Sequence, residues 1–323
     1  MKPRLSIIVA TCNREKSLKK CLASLSKQTK QNFEVIVIDG SSSNGTEQIV
    51  ETYQKQFPVT LVFFQEPGLS RARDIGWRKA KGEFVAFIDD DVVVSSKWAE
   101  SVVATLSKHP EVGGVSGPTI VPSNLLRNRD VFWFYNRTGM LKVLALLWNY
   151  LFLDNQPFAV GKICKSGAWT PGSNFKSCLS LKSLREVDYL EACNMTFQRN
   201  LVEKVGGFDL SFEGVGDWCE PDLAVRVKKL GYLLVFNPQA RVDHHISRDG
   251  VFSRRNFAKA RMENFYKFYF RHIFRLKPSY ISKLALYVLF LNIYWICKSI
   301  CSRNISWLSG IVGSITGLRY VRS

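Results

Sequence analysis

The sequence predicts an α/β fold on a mostly parallel, doubly wound sheet, followed by a helical tail of different character. Three observations carry this. Short apolar runs that suit buried strands recur through the first half, each separated from the next by one segment of helical spacing. The runs are apolar throughout rather than alternating, as in strands covered on both faces. The last 76 residues, Arg248 to Ser323, hold 14 Lys/Arg against two acids, a net of +12 out of +18 for the 323-residue chain. With 46% hydrophobic and 13% aromatic residues the chain can bury a sizeable core, which excludes disorder.

The elements follow in order. Leu5-Ser-Ile-Ile-Val-Ala10 is long enough for a buried strand and too short for a helix. Leu18, Cys21, Leu22 and Leu25 recur at the spacing of one helix face. Phe33 to Ile38 is a second strand, ended by Asp39-Gly40 and a serine run, with Thr46 a candidate cap for the next helix. Thr60 to Phe64 is a third strand, 70–80 a helix closed by Gly82, and Glu83 to Ile88 a fourth strand. Residues 131–153 are aromatic and apolar and, interrupted by Lys142 and Asn149, read as a core or cover helix ahead of an interfacial one. Residues 164–186 read as an irregular loop, and 187–246 as a second ordered block.

The tail interleaves Arg/Lys with rings over 254–277. Leu284 to Cys297 follows, fourteen residues with only Asn292 strongly polar, short of the ~20 needed to span a bilayer. A weaker run from Ile305 to Leu318 carries Gly310, Gly313 and Gly317, which suit a hairpin with the first. The division predicted is 1–247 for the α/β domain, with halves 1–117 and 118–247, and 248–323 for a membrane-associated tail. Eight scattered cysteines without a C-x-x-C pair read as reduced thiols. The six-residue run after Met1-Lys-Pro-Arg is too short for a signal peptide, so the expected location is the cytosol or the cytosolic face of a membrane.

The carboxylates fall where chemistry is expected. Asp39 follows the second strand and Asp89-Asp90-Asp91 the fourth. In an open parallel sheet, ligands bind beyond the carboxyl ends of the strands. Three adjacent carboxylates repel one another, and a hard divalent cation relieves that repulsion. Alternation lets Asp89 and Asp91 share a site while Asp90 points elsewhere. The first βα turn, Ala10-Thr11-Cys12-Asn13-Arg14, has no glycine, which disfavours a nicotinamide enzyme and a P-loop kinase.

In order and spacing, Leu5 to Arg14, Val37-Ile-Asp39-Gly-Ser-Ser, Gly68-Leu-Ser-Arg-Ala-Arg73-Asp-Ile-Gly76 and Phe87-Ile-Asp-Asp-Asp91 resemble the inverting family 2 glycosyltransferases of GT-A fold. Asn194-Met-Thr-Phe197, Gly206-Gly-Phe-Asp209, Glu220-Pro-Asp222-Leu-Ala-Val-Arg226 and His244 resemble its acceptor half. The resemblance covers about 4–246 and implies roles. Thr11, Asn13 and Arg14 would line the nucleoside pocket, and Asp39 would bond the base. Arg73 would lie near ribose or phosphates. Asp89, with Asp90 on the same donor side, would approach the ribose. Asp91 and His244 would hold Mn²⁺ or Mg²⁺, with His245 as the substitute one position on. Glu220 would be the general base, standing where the family has Asp, with Asp217 and Asp222 as the carboxylates to test in its place.

Glu220 also has a structural reading. Asp217-Trp-Cys-Glu220 has the form of a capping box, or Glu220 itself sits at the cap before Pro221. The reaction implied is one displacement at the anomeric carbon of a nucleoside-diphosphate sugar by an acceptor hydroxyl. The expected acceptor is a lipid-linked saccharide or a polysaccharide precursor of the cell envelope. Two other readings compete. A sugar nucleotidyltransferase would carry a Gly-rich basic N-terminal loop, which this chain lacks. A basic nucleic-acid binder would use the Arg/aromatic tail. That tail merges into an apolar run, which favours an anionic membrane surface over nucleic acid.

Overall fold

A computed structural model of the chain describes residues 2–42, 45–66, 68–122, 139–214, 216–246 and 257–322. The aromatic stretch Phe132 to Tyr135, the basic pair Arg254 and Arg255, and the cap position before Gly45 lie outside them. Eight strands form the main sheet in the order β3-β2-β1-β4-β9-β6-β10-β8. The first four are β1 (Leu5–Thr11), β2 (Phe33–Asp39), β3 (Val59–Phe63) and β4 (Phe84–Asp89), all parallel. The expected helices intervene as α1 (Glu15–Leu25), α2 (Gly45–Gln54) and α3 (Leu69–Lys79). Thr46 lies inside the first turn of α2, not before it, so it is not the cap that its sequence position suggests.

Strands β1, β2 and β4 bury both faces, as their unbroken apolar runs require, whereas the edge strand β3 leaves Thr60 and Phe63 exposed. Ile7 and Val9 pack into one layer with Leu18, Leu22 and Trp98, whereas Ile8 packs into the other with Trp77 and Phe87. Gly76 lets α3 approach β1: a Cβ there would lie 2.4 Å from a methyl carbon of Ile8. Arg73, one turn earlier on α3, is thereby set near the carboxyl edge of the sheet.

The second half departs from simple alternation. Strand β9 (Asn194–Gln198) runs antiparallel between β4 and β6 (Val112–Ser116), with Ile88 opposite Asn194. Strand β10 (Leu233–Phe236) is parallel to β6, and the short β8 (Arg185–Glu186) closes that edge antiparallel. A smaller sheet, β5 (Val92–Val94), β11 (Val242–His244) and β7 (Thr119–Ile120), sets His244 opposite Val92, directly after the acidic triplet. Residues 164–186 are irregular as expected, with single turns at Gly172–Asn174 and Lys176–Ser180.

The tail differs from its prediction in two ways. The aromatic helix Ala258–His272 is core, not lipid-facing: Phe265, Tyr266, Phe268 and Tyr269 are buried against the sheet layer that holds Trp218. The fourteen-residue run is the centre of a 25-residue helix, Pro278–Ser302, long and apolar enough by composition to cross a membrane. Its ends carry Tyr280, Lys283 and Lys298, which the apolar count left out. Outside the tail, the helix Met140–Phe152 is a cover helix and not a core one: Trp148, Leu151 and Phe152 pack inward while Val143, Leu146, Leu147 and Tyr150 stand exposed. Within the tail, the second run does fold back on the first, with Gly310 against Trp295 and Ser314 bonded to Asn292 at 2.6 Å, but Gly313 and Gly317 pack on the aromatic helix instead. A Cβ at Gly310 would strike Trp295, one at Gly313 the backbone of Lys259, and one at Gly317 the ring of Tyr266, all within 2.5 Å.

Candidate active site

The register gathers the expected residues at one edge. β1 pairs Thr11 with Asp39 on one side and Ala10 with Asp89 on the other. Asp39 is 1% exposed, and its Oδ1 accepts from the Ser41 amide at 2.9 Å and the Ser41 hydroxyl at 2.5 Å. Its Oδ2 is buried and has no partner among the described residues. A buried acceptor left open costs about 1–3 kcal/mol, so it suits a donor brought by a ligand. Asn13, at φ 54, braces the same loop: its amide donates to Ser41 Oγ at 2.7 Å and its Oδ1 accepts from the Ser42 amide at 3.1 Å.

The acidic triplet divides its partners. Arg14 bridges Asp90 at 2.7 Å and Asp91 at 2.5 Å. Thr11 Oγ1 donates to Asp90 at 2.7 Å, so Thr11 and Asp90 support the floor of the crevice. Burial pushes the Asp90 carboxyl up to about 7, against the pull of Arg14. Burial would raise Asp91 too. Bonds from His244, 3.2 Å away, and from Arg14 outweigh it and hold that carboxylate well below the ordinary range. Burial acts to lower His244, but neighbouring Cys193 and Asp91 raise it well above the usual imidazole value. The Cys193 thiol is itself raised by burial and neutral at pH 7, so Asp91 is the partner that matters. His245 is exposed, and its backbone amide bonds the Asp91 carbonyl at 2.9 Å, so His244 is the imidazole of the site.

Asp89, Cys193 and His244 each offer a ligand atom, all within 4.8 Å of one another. Carboxylate, thiol and imidazole together, with Asp91 touching the same imidazole, fit a divalent cation. Sequence reasoning missed Cys193. Only the antiparallel insertion of β9 sets it beside Asp89, and periodicity carries no sign of that insertion.

The helix that carries Glu220 runs over Cys219–Lys228. The residue before it, Trp218, is held at φ 78, and no side chain caps the helix, so neither capping reading of Glu220 is realised. Instead the Glu220 carboxylate accepts from Arg73 Nη1 inside the fold. Arg73 Nη2 reaches Asp89 at 2.7 Å and the Ala192 carbonyl at 3.1 Å. Burial raises the Glu220 pKa despite Arg73. The two other carboxylates are engaged elsewhere. Asp217 pairs with Arg261 at 2.8 Å. Asp222, fully buried, takes Arg226 at 2.7 Å, Arg271 at 2.9 Å and His272 at 2.8 Å. Trp169, in the irregular loop, lies with its ring 4.4 Å from that of Trp218, a neighbour the sequence did not indicate.

A parallel sheet with an acidic strand end, an open buried acceptor at Asp39 and a carboxylate at the facing helix together invite comparison with nucleotide-sugar enzymes. Residues 6–159 match the family described as Glycosyl transferase family 2. Over this N-terminal stretch the chain is similar to glycosyltransferase family 2. It is 34% identical over 171 residues to the poly(ribitol-phosphate) β-N-acetylglucosaminyltransferase TarS of Staphylococcus aureus, which covers 47% of this chain and 30% of TarS. A glucosyl-dolichyl phosphate glucuronosyltransferase of Haloferax volcanii is 24% identical over 253 residues, 75% of this chain and 69% of that one. The chain spans about a third of the length of the first curated relatives it matches. Among solved structures it is similar to a mannosyltransferase from Pyrobaculum calidifontis in complex with GDP-Man and Mn²⁺. The TM-score is 0.55 at 18% identity, over 100% of this chain and 88% of that one. TarS 1–349 gives 0.56 at 17% identity, over 98% and 81%. At such identity these show the fold, which is GT-A.

Proposed function

We propose that this chain is a family 2 member that transfers a sugar from a nucleoside-diphosphate sugar to an acceptor hydroxyl with inversion. In this reading 1–117 is the donor half and 118–247 the acceptor half. The supporting observation is that one guanidinium, Arg73, joins Glu220 to Asp89, so a candidate base and the acidic strand end share one crevice. Asp39 bonds the base of the nucleotide through its open Oδ2. Thr11, Asn13 and Arg14 shape the pocket around it. Asp91 and His244, with Asp89 alongside, would hold Mn²⁺ or Mg²⁺. Such a cation supplies positive charge where the leaving diphosphate develops negative charge. Glu220 takes the proton of the acceptor hydroxyl. No second nucleophilic carboxylate is needed for a single displacement.

The acceptor in this reading is lipid-linked or membrane-proximal, met at the cytosolic face of a membrane. The apolar helix Pro278–Ser302 supports that, as does a relative named for a dolichyl-phosphate-linked glucose. The test is a panel of UDP-, GDP- and dTDP-sugars read by release of nucleoside diphosphate, with and without Mn²⁺, on the chain and on Asp91→Ala. Release from one donor, dependent on cation and lost in the variant, is expected. Cation-independent release unaffected by the substitution would overturn the assignment.

A further inference from the structure

Two helices carry an apolar surface that the sheet does not use. In the tail helix Pro278–Ser302 only Trp295 and Ser299 are buried. One side, with Tyr287, Leu291 and Tyr294, packs on the core. Opposite it, Leu286, Leu289, Ile293, Ile296 and Ile300 form one stripe and are 42–70% exposed. Beside it lies the outer helix Met140–Phe152. Trp148 meets Phe290 at 4.4 Å between ring centroids, and Phe152 meets Tyr287 at 5.4 Å. Lys283 donates to Asp154 at 2.5 Å, just past the end of the outer helix. The outward residues of this second helix, Val143, Leu146, Leu147 and Tyr150, are 51–65% exposed.

Charge selects what covers this surface. Residues 257–322 hold 11 Lys/Arg and one acid, Glu263, and the outer helix adds Lys142 and no acid. A second copy would bring these cations against their like. Arg261, Arg271, Lys283 and Arg319 are paired with acids and Lys267 is buried. Lys142, Lys259, Arg275, Lys277, Lys298 and Arg303 make no ion pair among the described residues, and an anionic leaflet attracts such cations at about 1 kcal/mol each near the surface.

Packing selects the orientation. Twenty-five helical residues reach about 37 Å, enough to cross a bilayer. Yet this helix is held lengthwise: Leu284 through Tyr294 packs on the catalytic domain, and the Tyr287 ring lies 5.7 Å from Phe265 of the aromatic helix. That neighbour carries Lys259, Arg261, Lys267 and Arg271. Standing the tail helix upright would carry Lys259 and the ion pairs Arg261–Asp217 and Arg271–Asp209 to membrane depth, where charged groups are costly.

We infer that the helices Met140–Phe152 and Pro278–Ser302 form one two-helix raft lying in the plane of an anionic lipid leaflet, so that the chain is monotopic. The inference rests on the membrane part of the proposed function and is independent of its sugar-transfer part.

Vesicle flotation of the full chain tests it, comparing phosphatidylcholine with an equal mixture of phosphatidylcholine and phosphatidylglycerol. Binding is expected to the mixture and to be much weaker to phosphatidylcholine alone; equal binding to both overturns the charge argument. Val143→Asp with Leu147→Asp, confined to the outer helix, should weaken binding at least about tenfold. Wild-type binding by that variant overturns the raft. Lipid-independent self-association that the same substitutions abolish, without flotation, assigns the face to a second copy and also overturns it. Orientation is read from nitroxide depth at I281C, L289C and I300C in a background lacking Cys297 and Cys301. Equal shallow depth supports the raft, whereas Leu289 at the midplane with the other two near the headgroups overturns it. Release of nucleoside diphosphate is measured on the same preparations. Flotation without such release supports the raft and counts against the sugar-transfer reading alone.

Discussion

The guanidinium of Arg73 donates to Glu220 through Nη1 and to Asp89 through Nη2, tying the N-terminal turn of the helix Cys219–Lys228 to the end of β4. Arg73 is 1% exposed and Glu220 is 7% exposed, so the pair is held out of water. A pair in this setting serves two ends. It fixes the position of a carboxylate, and it keeps a charge from being buried alone.

Glu220→Gln separates these. It keeps the shape and accepts a bond from Arg73, but it neither takes a proton nor balances the guanidinium. We expect turnover to fall about 10²–10⁴-fold. Stability to urea should fall by about 1–3 kcal/mol, because Asp89 still partners Arg73. If activity falls only in proportion to the folded fraction, Glu220 is a structural partner of Arg73 and nothing more.

Burial raises the Glu220 pKa in spite of Arg73, and the sign of the pH dependence follows. The proton-accepting form is lost as pH falls through a value above the ordinary glutamate range. The acid limb of kcat/KM should therefore lie above that range. A limb at or below it, followed on a donor that saturates throughout, would remove Glu220 from the role of base.

Asp39→Ala deletes the carboxylate whose Oδ2 is buried without a partner among the described residues. A hydrogen bond to a charged group contributes about 1.5–3 kcal/mol, or roughly 10–100-fold in affinity. Calorimetric titration with UDP and with GDP should show that loss for one of them. Unchanged affinity for both relocates the nucleotide pocket.

The sheet and the donor edge were legible because each depends on local pattern. Unbroken apolar runs made β1, β2 and β4 readable, and position after a strand made Asp39 and Asp89 to Asp91 readable. Long-range pairing was not legible. Nothing near Cys193 signals that β9 enters the sheet antiparallel beside β4. The rings of Phe265 and Tyr269 look amphipathic in sequence because Arg and Lys interrupt them. Those cations reach outward from a buried helix: Arg261 to Asp217 and Arg271 to Asp209. The outer helix was legible as core or cover but not as to which, since composition is blind to which side of a helix finds a partner.

Asp222 was a candidate base by position, and its contacts make it a clamp. Its carboxylate joins Arg226 of its own helix to Arg271 and His272 of the aromatic helix, with no part of it open to a substrate. Breaking a buried charge network of this kind costs about 3–5 kcal/mol. Asp222→Asn should therefore lower the melting temperature sharply while the folded fraction keeps its turnover number. The pH dependence runs one way. Burial lowers the His272 pKa beyond what Asp222 restores, so the unfolded chain takes up that proton first. Stability should begin to fall as pH drops through the ordinary imidazole value. The Asp222 pKa is held low by His272 and Arg226 against the effect of burial, so its contribution is present above the ordinary aspartate value and is lost below it. Urea unfolding from pH 8 to pH 3 should show stability declining in these two steps, with the lower one absent from the Asn variant. A lower step of equal size in both proteins would assign the acid sensitivity to other carboxylates, Asp209 beside Arg271 first among them.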